Sequence, residues 1–417
     1  MKSKEVVSAG VITVSKLITG IMVAKGISTV YGAEAFGVYG QLYSIVWLVA
    51  LVAGGGINNA LVRYVSSSID DKAELSEYLF AGVIITSLFS FTMLLVFSFF
   101  TDVIIGFFPD ASLDLDFNLG SILFFLSFMQ ILFAFNNFFL FSITGLGENY
   151  KVAIVHFVGS ILGGGVFFCL LFISFQWALV GYIIINAIYI FPSTILFIYN
   201  FKFSFLFSRI NKVKLKNMLN YSVITLSGIV SIPLVQIYYR EQLAVEFDWH
   251  SVGYWLAVTR FSDLFMLFIT TLLTTTFLPK IARADLVDIT TVTFSAFKTI
   301  VPLLAFFCVG VYFLREYLIL LLYDESLLPS TDFFLYQLVG DAFKVIAFIF
   351  GYIVVARSSV KINIFFQFFQ VLLYVLLAEL FFPYGVKGLV SSYMITYIVY
   401  FGLIYAYSHR KFLRKNF

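Results

Sequence analysis

The sequence predicts an all-α polytopic membrane protein, with twelve transmembrane helices in two six-helix bundles related by a pseudo-two-fold axis along the membrane normal. Three observations predict it. Of 417 residues, 61% are hydrophobic and 12% charged, where a soluble domain carries about 25% charged residues. The apolar runs are long enough to cross a bilayer, which takes roughly 20 helical residues, and none alternates as a barrel strand would. A basic loop, residues 201–217, divides the chain near its midpoint.

The twelve runs fall at 6–30, 36–65, 77–101, 117–142, 151–175, 177–200, 217–240, 250–279, 291–314, 332–356, 361–382 and 386–408. The first is too long for a signal peptide and lacks a small-residue cleavage site, so it is expected to be retained. Placing the amino terminus inside puts nineteen lysines and arginines on the inner segments and three (Arg240, Arg315, Lys387) on the outer ones. This bias orients both termini to the cytoplasm. The acidic loop 101–116, free of basic residues, then falls outside.

Weak internal repeats support duplication. Gly37–Ser44 aligns with Val252–Thr259, and Gln130 and Asn137 match Gln337 and Lys344 at the same spacing. Six spans per half keep the two halves parallel, giving bundles 1–205 and 206–417. No loop is long enough for a separate domain, which disfavours an enzyme with an external catalytic part.

Catalytic and cofactor motifs are missing. Neither AGGGINN (53–59) nor Gly163–Gly165 is followed by the Lys-Ser/Thr of a phosphate loop, so both read as glycines that let helices bend or pack closely. His156, His250 and His409 are scattered, and Cys169 and Cys308 lie in apolar runs. No cofactor, metal or nucleic acid is expected.

Ionised groups inside the spans need a reason, because each costs at least about 2.5–3.5 kcal/mol to insert at mid-bilayer. In span one, Lys16 and Lys25 are nine residues apart and point to opposite sides of a helix. Lys16 lies near mid-span and suits a wet cavity, whereas Lys25 lies near the outer end, within snorkelling reach of the interface. In span two, Gly56, Asn59 and Arg63 share a helical face. Span eight carries Arg260 with Asp263, and span ten carries Gln337, Asp341 and Lys344. These are structural ion pairs or a partly balanced cationic lining, and Asp263 and Asp341 are the groups best placed to take a proton or cation. Gln130, Asn137, Asn363, Gln367 and Gln370 add uncharged stripes, suited either to sugar hydroxyls or to interhelical bonds. Pro192 and Pro233 should kink their spans. Cations outnumber acids at depth, so a central cavity would attract anions.

The segments SKLITGIMVAKG, YGAEAFGVYGQ and GGGINNALVRYV, with WHSVGYWLAVTRFSDLFM, FLYQLVGDAFKVIAFIFGYIVVA and SSYMITYIVYF, resemble the Wzx-type lipid-linked oligosaccharide flippases. These include the O-antigen translocases and the flippase of enterobacterial common antigen precursor. The resemblance spans essentially the whole chain, through diffuse motifs. It implies the multidrug/oligosaccharidyl-lipid/polysaccharide exporter superfamily, alternating access, and an undecaprenyl pyrophosphate-linked oligosaccharide as substrate. It implies the bacterial inner membrane, with a polysaccharide polymerase and a chain-length regulator as candidate partners. The family's cationic lumen would correspond to Lys16, Arg63, Arg260 and Lys344, and its lysine pair to Lys16 and Lys25. A multidrug exporter of the same superfamily is the alternative, and a membrane polymerase or ligase a remoter one.

Overall fold

The computed structural model describes residues 3–109, 117–201, 211–273, 277, 281, 288–358 and 360–413. The acidic stretch 110–116, most of the midpoint basic loop, Thr274, Lys280 and Arg283 lie outside the described residues. The chain is all-α, and contacts divide it into two compact units, 1–245 and 246–417.

In the first unit, α1 (Ser3–Ala53) holds spans one and two, parted only by Gly32 at φ 80°. Span two then breaks. Residues 54–57 are non-helical, with Gly55 at φ 69° and Gly56 at φ 62°, before α2 (Asn58–Ser67) resumes. The glycine run therefore does more than bend the helix: two left-handed residues in succession end it. Gly56 leaves the helical register that would align it with Asn59 and Arg63. Backbone freed at membrane depth must find partners inside the protein. Ser90 Oγ donates to Ala53 O at 3.1 Å, and Ser222 Oγ donates to Gly55 O.

The helices α3 (Lys72–Phe99), the short α4 (Thr101–Ile105), α5 (Leu119–Gly145) and α6 (Asn149–Leu171) follow. Asp71 caps α3 and Asn118 caps α5, each through its side-chain oxygen. Spans six and seven are each divided in two. The first becomes α7 (Phe175–Ile188) and α8 (Ile190–Phe201), and the second α9 (Lys212–Ile229) and α10 (Ser231–Glu246). Both α7 and α9 end four residues before a proline, Pro192 and Pro233. A proline ring clashes with that carbonyl and offers it no N–H.

Within the first unit, α9 and α10 lie against α1, α2 and α3. Arg240, placed by sequence at the outer end of span seven, is 3% exposed and turned into the protein. Its guanidinium donates to Gly40 O at 2.8 Å and to Ser44 Oγ. Beside it, Gln41 Nε2 donates to Ile237 O at 3.1 Å and Phe107 O at 2.9 Å.

The second unit comprises α11 (Trp249–Leu272), α12 (Asp288–Leu322), a 3₁₀ segment (Glu325–Phe333), α13 (Phe334–Arg357), α14 (Val360–Phe381) and α15 (Gly385–Ser408). Its core is a cluster of Ile, Phe, Val and Tyr side chains from α11, α12, α13 and α15. Among the described residues, eight stretches are long and apolar enough to cross a membrane, and two of them, Val7–Ser67 and Lys361–Phe412, are long enough to hold two crossings each.

Candidate transport sites

Lys16 is an exposed cation on α1, in the middle of span one. The turn around it packs on α6. Ser160 Oγ reaches Ser15 O at 3.5 Å and shares a 2.9 Å hydrogen bond with the Tyr189 hydroxyl. The Tyr189 ring lies 5.4 Å from the ring of His156, which is within electrostatic reach of Lys16. Two features of sequence make this meeting possible. Tyr189 occupies the turn between α7 and α8, and Gly159 has no side chain, whereas a β-carbon there would run into the Tyr189 ring. Lys25 is half-buried farther along α1, near Ser28, whose hydroxyl bonds the Lys25 carbonyl at 3.2 Å. Asn59 and Arg63 are both exposed on α2, one turn apart, and Arg63 Nη1 donates to the Tyr221 hydroxyl of α9.

Gln130 is fully buried and acts as an interhelical tie. Its Nε2 donates to Ser90 O at 2.9 Å and Ser127 O at 3.1 Å. Asn137 is half-buried on the same helix.

In the second unit, span ten builds a compact network. Asp341 is 1% exposed. Its Oδ1 accepts from Ser262 Oγ at 2.6 Å, the Tyr393 hydroxyl at 2.7 Å and Gln337 Nε2 at 3.4 Å. Among the described residues, its Oδ2 is buried without a hydrogen-bond partner. Lys344, one turn on, lies 5.4 Å from the Tyr393 ring centroid and 5.1 Å from that of Tyr397. Gln370 Nε2 donates to the Tyr397 hydroxyl at 2.7 Å, extending the network to α14. Arg260 is half-buried on α11. Asp263, one turn away, is exposed and within electrostatic reach of Asp341 and Lys344. Asn363 is half-buried and Gln367 exposed on α14. The sequence match between Gln130 and Gln337 extends to burial but not to partners: the first bonds the neighbouring α3, the second α11.

No family model matches the chain. It is 28% identical over 397 residues to the lipid III flippases of Escherichia coli (strain K12) and Shigella flexneri, covering 94% of each chain. Among solved structures, an inward-facing multidrug resistance MATE family transporter of the MOP superfamily superposes with TM-score 0.78 at 16% identity, covering 96% of this chain and 95% of that one. A lipid II flippase in an inward closed conformation superposes with TM-score 0.71 at 15% identity, covering 99% and 88%. The fold is that of the MOP-superfamily transporters. The chain is a relative of the lipid III flippases and a multi-pass membrane protein.

Within this transporter fold, several site residues escaped the sequence. Ser262, Tyr393 and Tyr397 complete the Asp341 and Lys344 network, yet serine and tyrosine inside apolar runs carry no signal of their own. His156 joins Lys16 only in three dimensions. Its one sequence cue is the stripe Gly159, Ser160 and Gly163 that follows it along α6.

Proposed function

We propose that this chain is a flippase that moves an undecaprenyl pyrophosphate-linked oligosaccharide from the cytoplasmic to the periplasmic leaflet of the bacterial inner membrane, for O-antigen or a related surface polysaccharide. The observation that carries this reading is the near full-length similarity to lipid III flippases, joined to an exposed lysine at mid-span on α1. Both termini lie in the cytoplasm on the lysine and arginine distribution, and residues 1–205 and 206–417 are the two six-helix repeats that alternate access. A polysaccharide polymerase and a chain-length regulator are the partners this places downstream.

Lys16 and Arg63 in the first unit are candidate cations for pyrophosphate, with Lys25 and Asn59 in support, and Arg260 is a candidate by itself in the second. Asn137, Asn363 and Gln367 offer amides to sugar hydroxyls. Sugar hydroxyls cannot enter lipid unsatisfied, so the glycan travels in a wet path. An inside-negative potential favours outward movement of each negative charge by about 2.3 kcal/mol per 100 mV. Gln130, Gln337 and Lys344 have buried partners already, and their part is to hold helices and to balance Asp341. Asp341, with one carboxylate oxygen free of hydrogen bonds among the described residues, is the candidate for taking a coupling proton or cation, aided by Asp263.

The test is transfer itself. The protein is reconstituted in liposomes with the lipid-linked oligosaccharide in one leaflet, and glycan exposure to an external glycosidase is followed with and without an imposed potential. Protein-dependent exposure that strengthens with potential is expected. Efflux of a small cationic drug without glycan transfer would favour the multidrug exporter, the reading that the MATE superposition keeps alive.

A further inference from the structure

Within the first unit, α2, α3 and α9 meet in a chain of rings and cations. Lys214, in the first turn of α9, lies 4.6 Å from the Tyr78 ring centroid and 3.1 Å from both the Glu74 and Glu77 carboxylates. Asn211 Nδ2 adds a 2.9 Å hydrogen bond to Glu77. Tyr78 stacks on Tyr64 at 4.5 Å with 9° between the ring planes, and Tyr64 meets Tyr221 edge-on at 5.8 Å. Arg63 closes the chain. Its guanidinium donates to the Tyr221 hydroxyl and sits 5.4 Å from the Tyr221 ring centroid and 5.9 Å from that of Tyr64.

The two cations at the ends are held in unlike ways. Lys214 is matched by two carboxylates. Arg63 is exposed, and among the described residues no carboxylate lies within 4.0 Å of it. Its partners are a neutral phenol and two ring faces. A guanidinium takes a phosphate through two parallel charge-assisted bonds, each roughly twice as strong as a neutral one. The seam one turn deeper is also held by neutral contacts: the Ser222 hydroxyl on Gly55 O, and Leu226 against Gly56. So the Arg63 side of this junction is the side an anion can open, and the Lys214 side is the one that stays shut.

We infer that Tyr221 holds the place of a phosphate on Arg63, and that a pyrophosphate-linked lipid arriving from the cytoplasmic leaflet displaces it and parts α9 from α2. This rests on the flippase reading for its ligand and on the basic-residue distribution for its side of the membrane. The Lys214 pairs with Glu74 and Glu77 then act as the pivot.

The experiment uses the full chain with Cys169→Ser and Cys308→Ser, reconstituted in liposomes, with Ser222→Cys as reporter. Ser222 is 1% exposed, so a membrane-impermeant maleimide should label it slowly. Adding Tyr221→Phe, which keeps the ring and removes one hydrogen bond to a charged group, should speed labelling without any lipid by roughly ten- to a hundredfold. Undecaprenyl pyrophosphate should speed labelling of the Tyr221-containing protein similarly, whereas undecaprenol should not, and Arg63→Gln should abolish that response. If Tyr221→Phe labels no faster, the latch is overturned whatever the chain transports. If it labels faster but the pyrophosphate lipid changes nothing, the phosphate trigger is overturned. A labelling response without glycan transfer would leave the latch standing and remove the flippase reading.

Discussion

The Tyr393 hydroxyl donates a 2.7 Å hydrogen bond to Asp341 Oδ1, while its ring faces the ammonium of Lys344. One tyrosine thus serves both members of a buried charge pair. Removing the carboxylate leaves Ser262 and Tyr393 without their acceptor and takes away a negative charge within electrostatic reach of Lys344. Asp341→Leu is expected to lower stability by about 3–5 kcal/mol. Asp341→Asn, which keeps an acceptor oxygen, should fold with a smaller loss and abolish any proton or sodium dependence of transport. Thermal unfolding in detergent and flipping under imposed ion gradients separate the two effects.

Lys16 and Lys25 should differ in weight. Lys16 is exposed at mid-span and Lys25 half-buried toward the span's end. A hydrogen bond to a charged group contributes about 1.5–3 kcal/mol. Lys16→Ala should therefore slow glycan transfer by roughly ten- to a hundredfold, with Lys16→Arg recovering part of it, while Lys25→Ala should do less. Equal losses at both positions, in correctly inserted protein, would contradict the distinction.

Gly159→Ala should force the Tyr189 ring off α6. Overpacking of this kind costs about 1–3 kcal/mol. Pairing it with Tyr189→Ala should restore the melting temperature beyond the sum of the single changes, as a double-mutant cycle reads it.

The Lys214 ammonium is held above its ordinary value. Burial, the largest single influence, works to lower it, but the Glu77 and Glu74 carboxylates together outweigh burial. A raised folded value means the contribution is fully present below the unfolded value and lost as pH rises through the folded one. Stability from the Lys214 ammonium should be flat through neutral pH and decline in the alkaline range above about 10.4. Lys214→Met should remove that alkaline limb, seen by melting temperatures across pH.

Much of this architecture was legible in the sequence because its causes are local. The apolar runs located the helices, and Pro192 and Pro233 marked breaks that fall where a missing N–H demands them. The break at Gly54–Ile57 was not legible, since a glycine run in a membrane helix serves equally for close packing, and only the left-handed angles at Gly55 and Gly56 decide. Asp341 and Lys344 stood out as charges in an apolar run. Their partners Ser262 and Tyr393 did not, because serine and tyrosine inside apolar runs carry no signal of their own, and the roles of Gln130 and Gln337, sugar contact or helix tie, differ only in what lies opposite them. Arg240 likewise read as an interfacial residue until Gly40 and Ser44 supplied its acceptors.

That inward-turned Arg240 bears on how the protein is made. The ribosome has released more than half of the chain before Arg240 can meet Gly40 and Ser44, some 200 residues upstream. The Gly40–Ser44 stretch of span two must wait in the bilayer unbridged until span seven is inserted. A gene divided at the midpoint loop would hand that arginine to the wrong fragment. A split for two-fragment complementation should instead be cut after Glu246, where the first product carries its own clasp.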